Sequence, residues 1–298
     1  MGALAHHAIT DRCTLLTGIS RGGTTLACQL LNRLPDVRAL DEPMDPNQLV
    51  REATRDDGRS LDAARILTGI EQFAEEQRRS ILERGVALSL NIEGGVLGAR
   101  VSDTRDERGL RVPMGRRGEI PVDPPASPDF KLVIKHPVAF TALLPVLRER
   151  FEVFAVVRNP LAVLASWESV PFAQREGRLG LRPQIAPEIA ARLQETEDRL
   201  ERQLMLLDWF FASYASTLPR ERVVRYEDVV STGGAALAPL AASAAGLRVG
   251  LESRNRAGVY DRAHMHQLGS MLLDRDGARW LPYYTPAEIR ALMTAAGA

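Results

Sequence analysis

The 298-residue chain carries 38 basic and 38 acidic side chains, so its formal net charge is zero and no global field recruits nucleic acid or an anionic membrane. Hydrophobic residues at 45% and charged residues at 26% exclude a disordered chain and suit one globular domain over residues 1–298. Two cysteines without metal-like spacing, and no apolar run of about 20 residues, fit a cytoplasmic protein without a membrane span.

Residues 1–11, with His6 and His7, have no apolar signal-peptide core and read as a flexible tail. The apolar run 13–19 (CTLLTGI) is a predicted strand entering a Gly-rich turn; Leu26, Ala27, Leu30, Leu31 and Leu34 then recur at helical spacing until Pro35. Residues 61–84 read as a helix. Residues 86–129 mix glycine, proline and charge without a lasting period and read as an irregular insertion.

From residue 131 the pattern sharpens into strand 131–135 (KLVIK), helix 140–150, strand 151–157 (FEVFAVV) and helix 160–168. A helical stretch over 188–217, a strand over 222–226, an Ala-rich helix over 234–246 and a capping box at Thr285 and Glu288 complete the chain. Strands alternating with helices predict an α/β fold with a central, mostly parallel sheet, similar to a P-loop NTPase.

Two segments carry the chemistry. Gly18 to Gly23 has the GxxxxG spacing of a phosphate-binding loop between a strand and a helix, but Thr24 stands where a triphosphate-binding loop has lysine. The cation lies inside the loop at Arg21. Gly22 and Gly23 allow backbone amides to approach an anion, and Thr24 and Thr25 add hydroxyls at the positive end of the helix. The competing reading is a Gly-rich turn with a solvated arginine. The strand 151–157 ends in Arg158, followed by Asn159 as N-cap and Pro160 as first helical residue, at the sheet edge where ligands of open α/β sheets gather. Ser166 lies eight residues on, either donating to the same ligand or serving as an ordinary small helix residue.

Ser20-Arg21-Gly22-Gly23-Thr24-Thr25 and Arg158-Asn159-Pro160 with Ser166 together resemble the sulfotransferases that use 3′-phosphoadenosine 5′-phosphosulfate (PAPS), and VVRYED at 223–228 resembles a third family segment. The resemblance covers the first 45 residues, 131–170 and 221–228. It implies PAPS as sulfuryl donor and no metal. The loop Arg21, Gly22, Gly23, Thr24 and Thr25 would hold the 5′-phosphosulfate, Arg158 and Ser166 the 3′-phosphate, and Tyr226 the adenine, with Arg21 stabilising the leaving group. Leu26 stands where cytosolic members have an adenine-stacking tryptophan.

Two residues compete as the base. His136, before Pro137, resembles the histidine of the cytosolic enzymes; Glu42 resembles the glutamate of the tyrosylprotein and carbohydrate enzymes and is favoured. Lys135 either assists the leaving group or ends its strand. Arg254, Arg256 and Arg262 offer a late basic clamp or a solvated face, and His264 and His266 form no metal pattern.

The expected acceptor is a small molecule, carbohydrate or natural product. Arg100, Arg105, Arg108, Arg111, Arg116, Arg117, Arg175, Arg178 and Arg182 would face an acidic one, or are simply solvated. A homodimer is compatible with the sequence. The rival functions are a P-loop kinase or NTPase and a non-catalytic nucleotide-binding protein.

Overall fold

The structure is a computed structural model that describes residues 9–58, 60–92, 95–96, 101–256 and 261–295. His6, His7, Arg100 and the side chains of Arg256 and Arg262 lie outside the described residues.

The first half runs Cys13–Gly18 (β1), Thr24–Leu31 (α1), Val37–Asp41 (β2), Pro46–Ala53 (α2), Ala63–Arg84 (α3), Val86–Ile92 (β3), Gly95–Val96 (β4), Val101–Arg105 (β5), Arg111–Pro113 (β6) and Arg116–Pro121 (β7). Then come Lys131–Lys135 (β8), Pro137–Ala142 (α4), Leu144–Leu147 (α5), Glu152–Val157 (β9), Pro160–Glu168 (α6), Pro187–Glu195 (α7), Arg199–Thr217 (α8), Val223–Arg225 (β10), Tyr226–Ser231 (α9), Arg262–Leu273 (α10) and Pro286–Ala295 (α11).

Five strands form one parallel sheet in the order β10-β9-β1-β8-β2, with β1 in the middle. The strands are mostly buried because both faces are covered, as a parallel sheet with crossover helices requires, and charged residues stand mainly at their ends, Arg38 excepted. The twofold alternation of a strand sorts their side chains into two cores. Leu15, Leu132, Ile134, Val153, Ala155 and Val157 join the larger one, packed by α3, α6 and α8; Leu16, Val133, Phe154 and Val156 join the smaller one beneath α1. This is one α/β fold with helices on both faces of a parallel sheet, and no described helix is long and apolar enough to cross a membrane.

Several expectations are corrected. Ile9 is buried in the larger core, so the tail does not extend to residue 11. Residues 86–129 are not irregular: β3 pairs antiparallel with β4 and β7, and β5 with β6. Charge on the exposed face of β7 (RRGEIP) hides the strand period that β3 shows. The helix over 140–150 starts earlier, at Pro137, and is interrupted at Leu143, and the stretch 188–217 breaks at 196–198, where the Asp198 side chain accepts from the Glu201 amide at 2.7 Å and caps α8. Residues 234–246 form two short 3₁₀ turns, Ala235–Leu237 and Ala242–Gly246, because Ala241 between them is extended. The capping box stands: the Thr285 amide donates to Glu288 Oε2 at 2.8 Å, and the Glu288 amide donates back to Thr285 Oγ1 at 3.3 Å.

Candidate functional site

The carboxyl ends of all five parallel strands open onto one cleft of about 1030 Å³. The sequence elements singled out above meet there: Arg21, Gly23, Thr24, Thr25, Glu42, His136, Arg158 and Tyr226 all line it.

The loop after β1 is built by close backbone packing. The Ile19 amide donates to the Val156 carbonyl on β9 at 3.2 Å, and the Gly22 amide donates to the Ile19 carbonyl at 2.7 Å. Trp167 Nε1, from α6, donates to the Ser20 carbonyl at 2.9 Å and pins the loop from below. Gly23 holds φ +95°, and a Cβ there would stand 2.5 Å from Cδ2 of Tyr226, so the loop and the ring after β10 are in direct contact.

Among the described residues, the non-glycine residues with positive φ are Arg21 (+68°) and Glu42 (+46°). Each such conformation costs about 1–3 kcal/mol and persists only where the surroundings impose it, a pattern typical of functional sites. Glu42 is imposed by its amide donating to the Lys135 carbonyl at 2.8 Å and by Arg117 Nε donating to its own carbonyl at 3.0 Å. Arg21 is imposed by Arg158 Nη1, which donates to its carbonyl at 3.1 Å.

Lys135 is 2% exposed and organises one half of the cleft. Its Nζ donates to Asp41 Oδ1 at 2.6 Å and to Glu42 Oε1 at 3.0 Å, and reaches Thr25 Oγ1 at 3.5 Å; Thr25 in turn donates to Asp41 Oδ2 at 2.8 Å. Burial leaves the ammonium dependent on these partners. His136 is buried with its Nε2 accepting from the Met44 amide at 3.3 Å, so the imidazole holds the chain just after Glu42.

Arg158 organises the other half. Its guanidinium is 4.9 Å from the Tyr226 ring centroid, and its Nε donates to Asn255 Oδ1 at 2.7 Å. Its Nη2 is buried with no hydrogen-bond partner among the described residues, though the residue lines the cleft. A buried guanidinium nitrogen without an acceptor is costly and marks a place for an anion.

Asn255 is held by Glu227, whose Oε1 accepts from Asn255 Nδ2 at 2.8 Å and from the Asn159 amide at 3.0 Å. Glu227 Oε2 accepts from the Tyr284 hydroxyl at 2.7 Å. Burial, and the Glu227 carboxylate beside it, push the Tyr284 pKa well up, so its hydroxyl remains a donor. Tyr226 Oη accepts from the Arg254 amide at 2.9 Å, which fastens segment 254–256 over the ring.

Ser166 departs from expectation. It is fully buried and off the cleft lining, and its hydroxyl accepts from Arg21 Nε at 3.2 Å. The position two turns into α6 brings it behind Arg21, where it holds that guanidinium.

Asn255, Glu227, Trp167 and Asp41 were not singled out from the sequence. Glu227 and Asp41 adjoin chosen residues, and their acidic character was the available signal. Asn255 joins Arg158 across 97 residues of chain, a contact that no local pattern encodes. No family model and no curated protein matches the chain.

Proposed function

We propose that this chain is a cytoplasmic sulfotransferase of P-loop-like architecture, transferring a sulfuryl group from PAPS to a hydroxyl or amine. The observation that carries the reading is Arg158, which lines the same cleft as the glycine loop and Tyr226 and whose buried Nη2 has no hydrogen-bond partner among the described residues. A ligand with one phosphate at the loop, a second phosphate at Arg158 and a base beside Tyr226 satisfies all three features. The order β10-β9-β1-β8-β2 sets the strand ends that carry the loop, Arg158 and Tyr226 side by side along one half of the sheet.

The residues present fit PAPS. Arg21, Gly23, Thr24 and Thr25 would hold its 5′-phosphosulfate, Arg158 its 3′-phosphate and Tyr226 its adenine, while Gly22, its amide given to the Ile19 carbonyl, shapes the loop. PAPS would supply the activated group: an acceptor oxygen bonds to sulfur as the sulfur–oxygen bond to phosphate breaks, and adenosine 3′,5′-bisphosphate leaves.

Glu42 is the base in this reading, receiving the acceptor proton on its carboxylate. Its strained backbone fixes it at the cleft wall and its side chain, held at Oε1 by Lys135, is 22% exposed, whereas His136 is 3% exposed with Nε2 turned to the Met44 amide. Arg21, held by Ser166, stabilises negative charge on the departing oxygen. A magnesium-triphosphate kinase is disfavoured because Thr24 replaces the loop lysine and Asp41, the carboxylate bonded to Thr25, is already ion-paired with Lys135.

Calorimetric titration with adenosine 3′,5′-bisphosphate, and separately with ATP and magnesium, tests the reading. Binding of the bisphosphate that collapses in Arg158→Ala, with little ATP binding, is expected. A preference for ATP and magnesium would overturn it.

A further inference from the structure

The antiparallel pair β3–β7 belongs to the chain between the glycine loop and Arg158, yet it bonds directly to the backbone around Glu42. β3 and β7 pair from Val86↔Pro121 to Asn91↔Arg116. The pair is fastened to α3, where the Leu88 amide donates to Gln77 Oε1 at 2.8 Å and Ser80 Oγ donates to the Val86 carbonyl at 2.7 Å. It is therefore a fixed platform.

Two residues of that platform grip the end of β2. Ser89 Oγ accepts from the Asp41 amide at 3.0 Å, and one residue on, Arg117 Nε donates to the Glu42 carbonyl at 3.0 Å. The Glu42 amide donates in another direction, to the Lys135 carbonyl on β8 at 2.8 Å. The two peptide planes that flank the Glu42 Cα are thus held by different sheets, the preceding one through β8 and the following one through β7. The angle between those planes is what φ and ψ describe, so the two bonds together impose φ +46°, a conformation that a non-glycine residue keeps only under constraint.

Of the arginines that the sequence offered to an acidic acceptor, Arg111 and Arg117 line the cleft. Arg111 is buried, and its guanidinium donates to the Ser102 carbonyl at 3.0 Å and to Asp103 Oδ1 at 2.7 Å. Arg117 is exposed, so its side chain adds little to the core, and its Nε acts on the residue that presents the carboxylate. Rotation about the Glu42 backbone would swing that side chain away from Lys135 Nζ, which Oε1 meets at 3.0 Å. Misplacing a reacting group by about 1 Å can cost about 10²-fold in rate.

We infer that Arg117 is a positioning residue for the base: by holding the Glu42 carbonyl it fixes the strained backbone from which the carboxylate is presented, and this makes the β3–β7 sheet part of the transfer machinery. The inference rests on the sulfotransferase reading and adds to it a residue that acts through the backbone of Glu42.

The test follows adenosine 3′,5′-bisphosphate formed from PAPS in the presence of a panel of phenols, alcohols, sugars and amines, with wild type, Arg117→Ala and Arg117→Gln. Arg117→Ala should lower the turnover number by about 10–10²-fold while the KM for PAPS stays within about two-fold. Arg117→Gln sets an amide nitrogen at the position of Nε and removes the charge, so turnover should stay within about three-fold of wild type. Bisphosphate affinity should be unchanged in both variants, which shows that they fold. Undiminished turnover in Arg117→Ala, or equal losses in the two variants, would overturn the positioning role and leave the nucleotide site standing. Wild type that binds no bisphosphate, or forms none from PAPS, would overturn the sulfotransferase reading itself.

Discussion

Nε of Arg158 donates to Oδ1 of Asn255 at 2.7 Å, and Asn255 is oriented by Glu227 through its amide nitrogen at 2.8 Å. The carboxylate thus acts on the guanidinium at one remove: it fixes which face of the Asn255 amide meets Arg158. Glu227→Gln removes the charge that strengthens the bonds from Asn255 and the Asn159 amide, and sets a donor against the Tyr284 hydroxyl. We predict that Glu227→Gln weakens adenosine 3′,5′-bisphosphate by about ten-fold, near 1.4 kcal/mol, while adenosine 5′-monophosphate, which lacks the 3′-phosphate, binds as before. Paired titrations with the two nucleotides check this; equal losses for both would reduce Glu227 to a general structural role.

The two candidate bases are separable by what each touches. Glu42 presents a partly exposed carboxylate to the cleft, while His136 is 3% exposed and accepts from the Met44 amide. Glu42→Gln should lower the turnover number by about 10²–10⁴-fold, the range for a positioned general base, with bisphosphate affinity intact. His136→Gln should leave turnover within about ten-fold and chiefly lower the melting temperature, because it loses the packing against Phe140 and the brace on Met44. Single-turnover kinetics beside thermal melts would expose the reverse assignment.

Gly23 couples the glycine loop after β1 to the Tyr226 ring. Alanine there meets both a left-handed backbone at φ +95° and a methyl contact of 2.5 Å with Cδ2 of the ring. We predict a loss of about 1–3 kcal/mol from the backbone alone, with bisphosphate binding weakened further as the ring is displaced. Gly58→Ala is the control: φ is +66° but nothing lies within 4 Å, so stability should fall with nucleotide binding untouched. Similar binding in both variants would separate the loop from the ring.

The parts of this fold legible in the sequence are those with strong local grammar. The apolar strands 13–18, 131–135 and 152–157, and α6 with Asn159 and Pro160 at its start, stand where their patterns place them. β2 was hidden because Arg38 interrupts its apolar pattern; its guanidinium is folded back onto the Leu34 carbonyl at 3.0 Å and the Pro124 carbonyl at 2.7 Å, and so tolerates burial. In the site, loop spacing brought out Arg21 and the end of an apolar strand Arg158, but the Lys135 bridge to Asp41 and Glu42 and the Glu227–Asn255 relay depend on sheet order. Strand neighbours distant in sequence supply those contacts, and periodicity carries no information about them. Ser166 shows the limit of spacing: two turns into α6, it is packed against Arg21 and off the cleft lining.

Away from the cleft, Glu168 ends α6 and accepts from Gln203 Nε2 at 2.7 Å and from Arg199, both on α8, with His264 Nε2 3.6 Å from its Oε2. Burial alone would raise the Glu168 pKa, but the hydrogen bonds from Arg199 and Gln203, aided by the charges of Arg199 and His264, bring it below its ordinary value of 4.5. A carboxyl depressed in the folded state binds fewer protons there than in the unfolded chain, so its contribution to stability is present above the unfolded value of about 4.3 and is lost as pH falls through the lower folded value. The melting temperature of wild type should therefore drop more steeply than that of Glu168→Gln as pH falls below the ordinary carboxylate value, whereas near pH 7 the variant should be the less stable of the two, since Arg199 then lacks its charged partner. Thermal melts across that range decide it: parallel acid limbs for the two proteins would mean that the α6–α8 ion pair adds no pH-dependent stability.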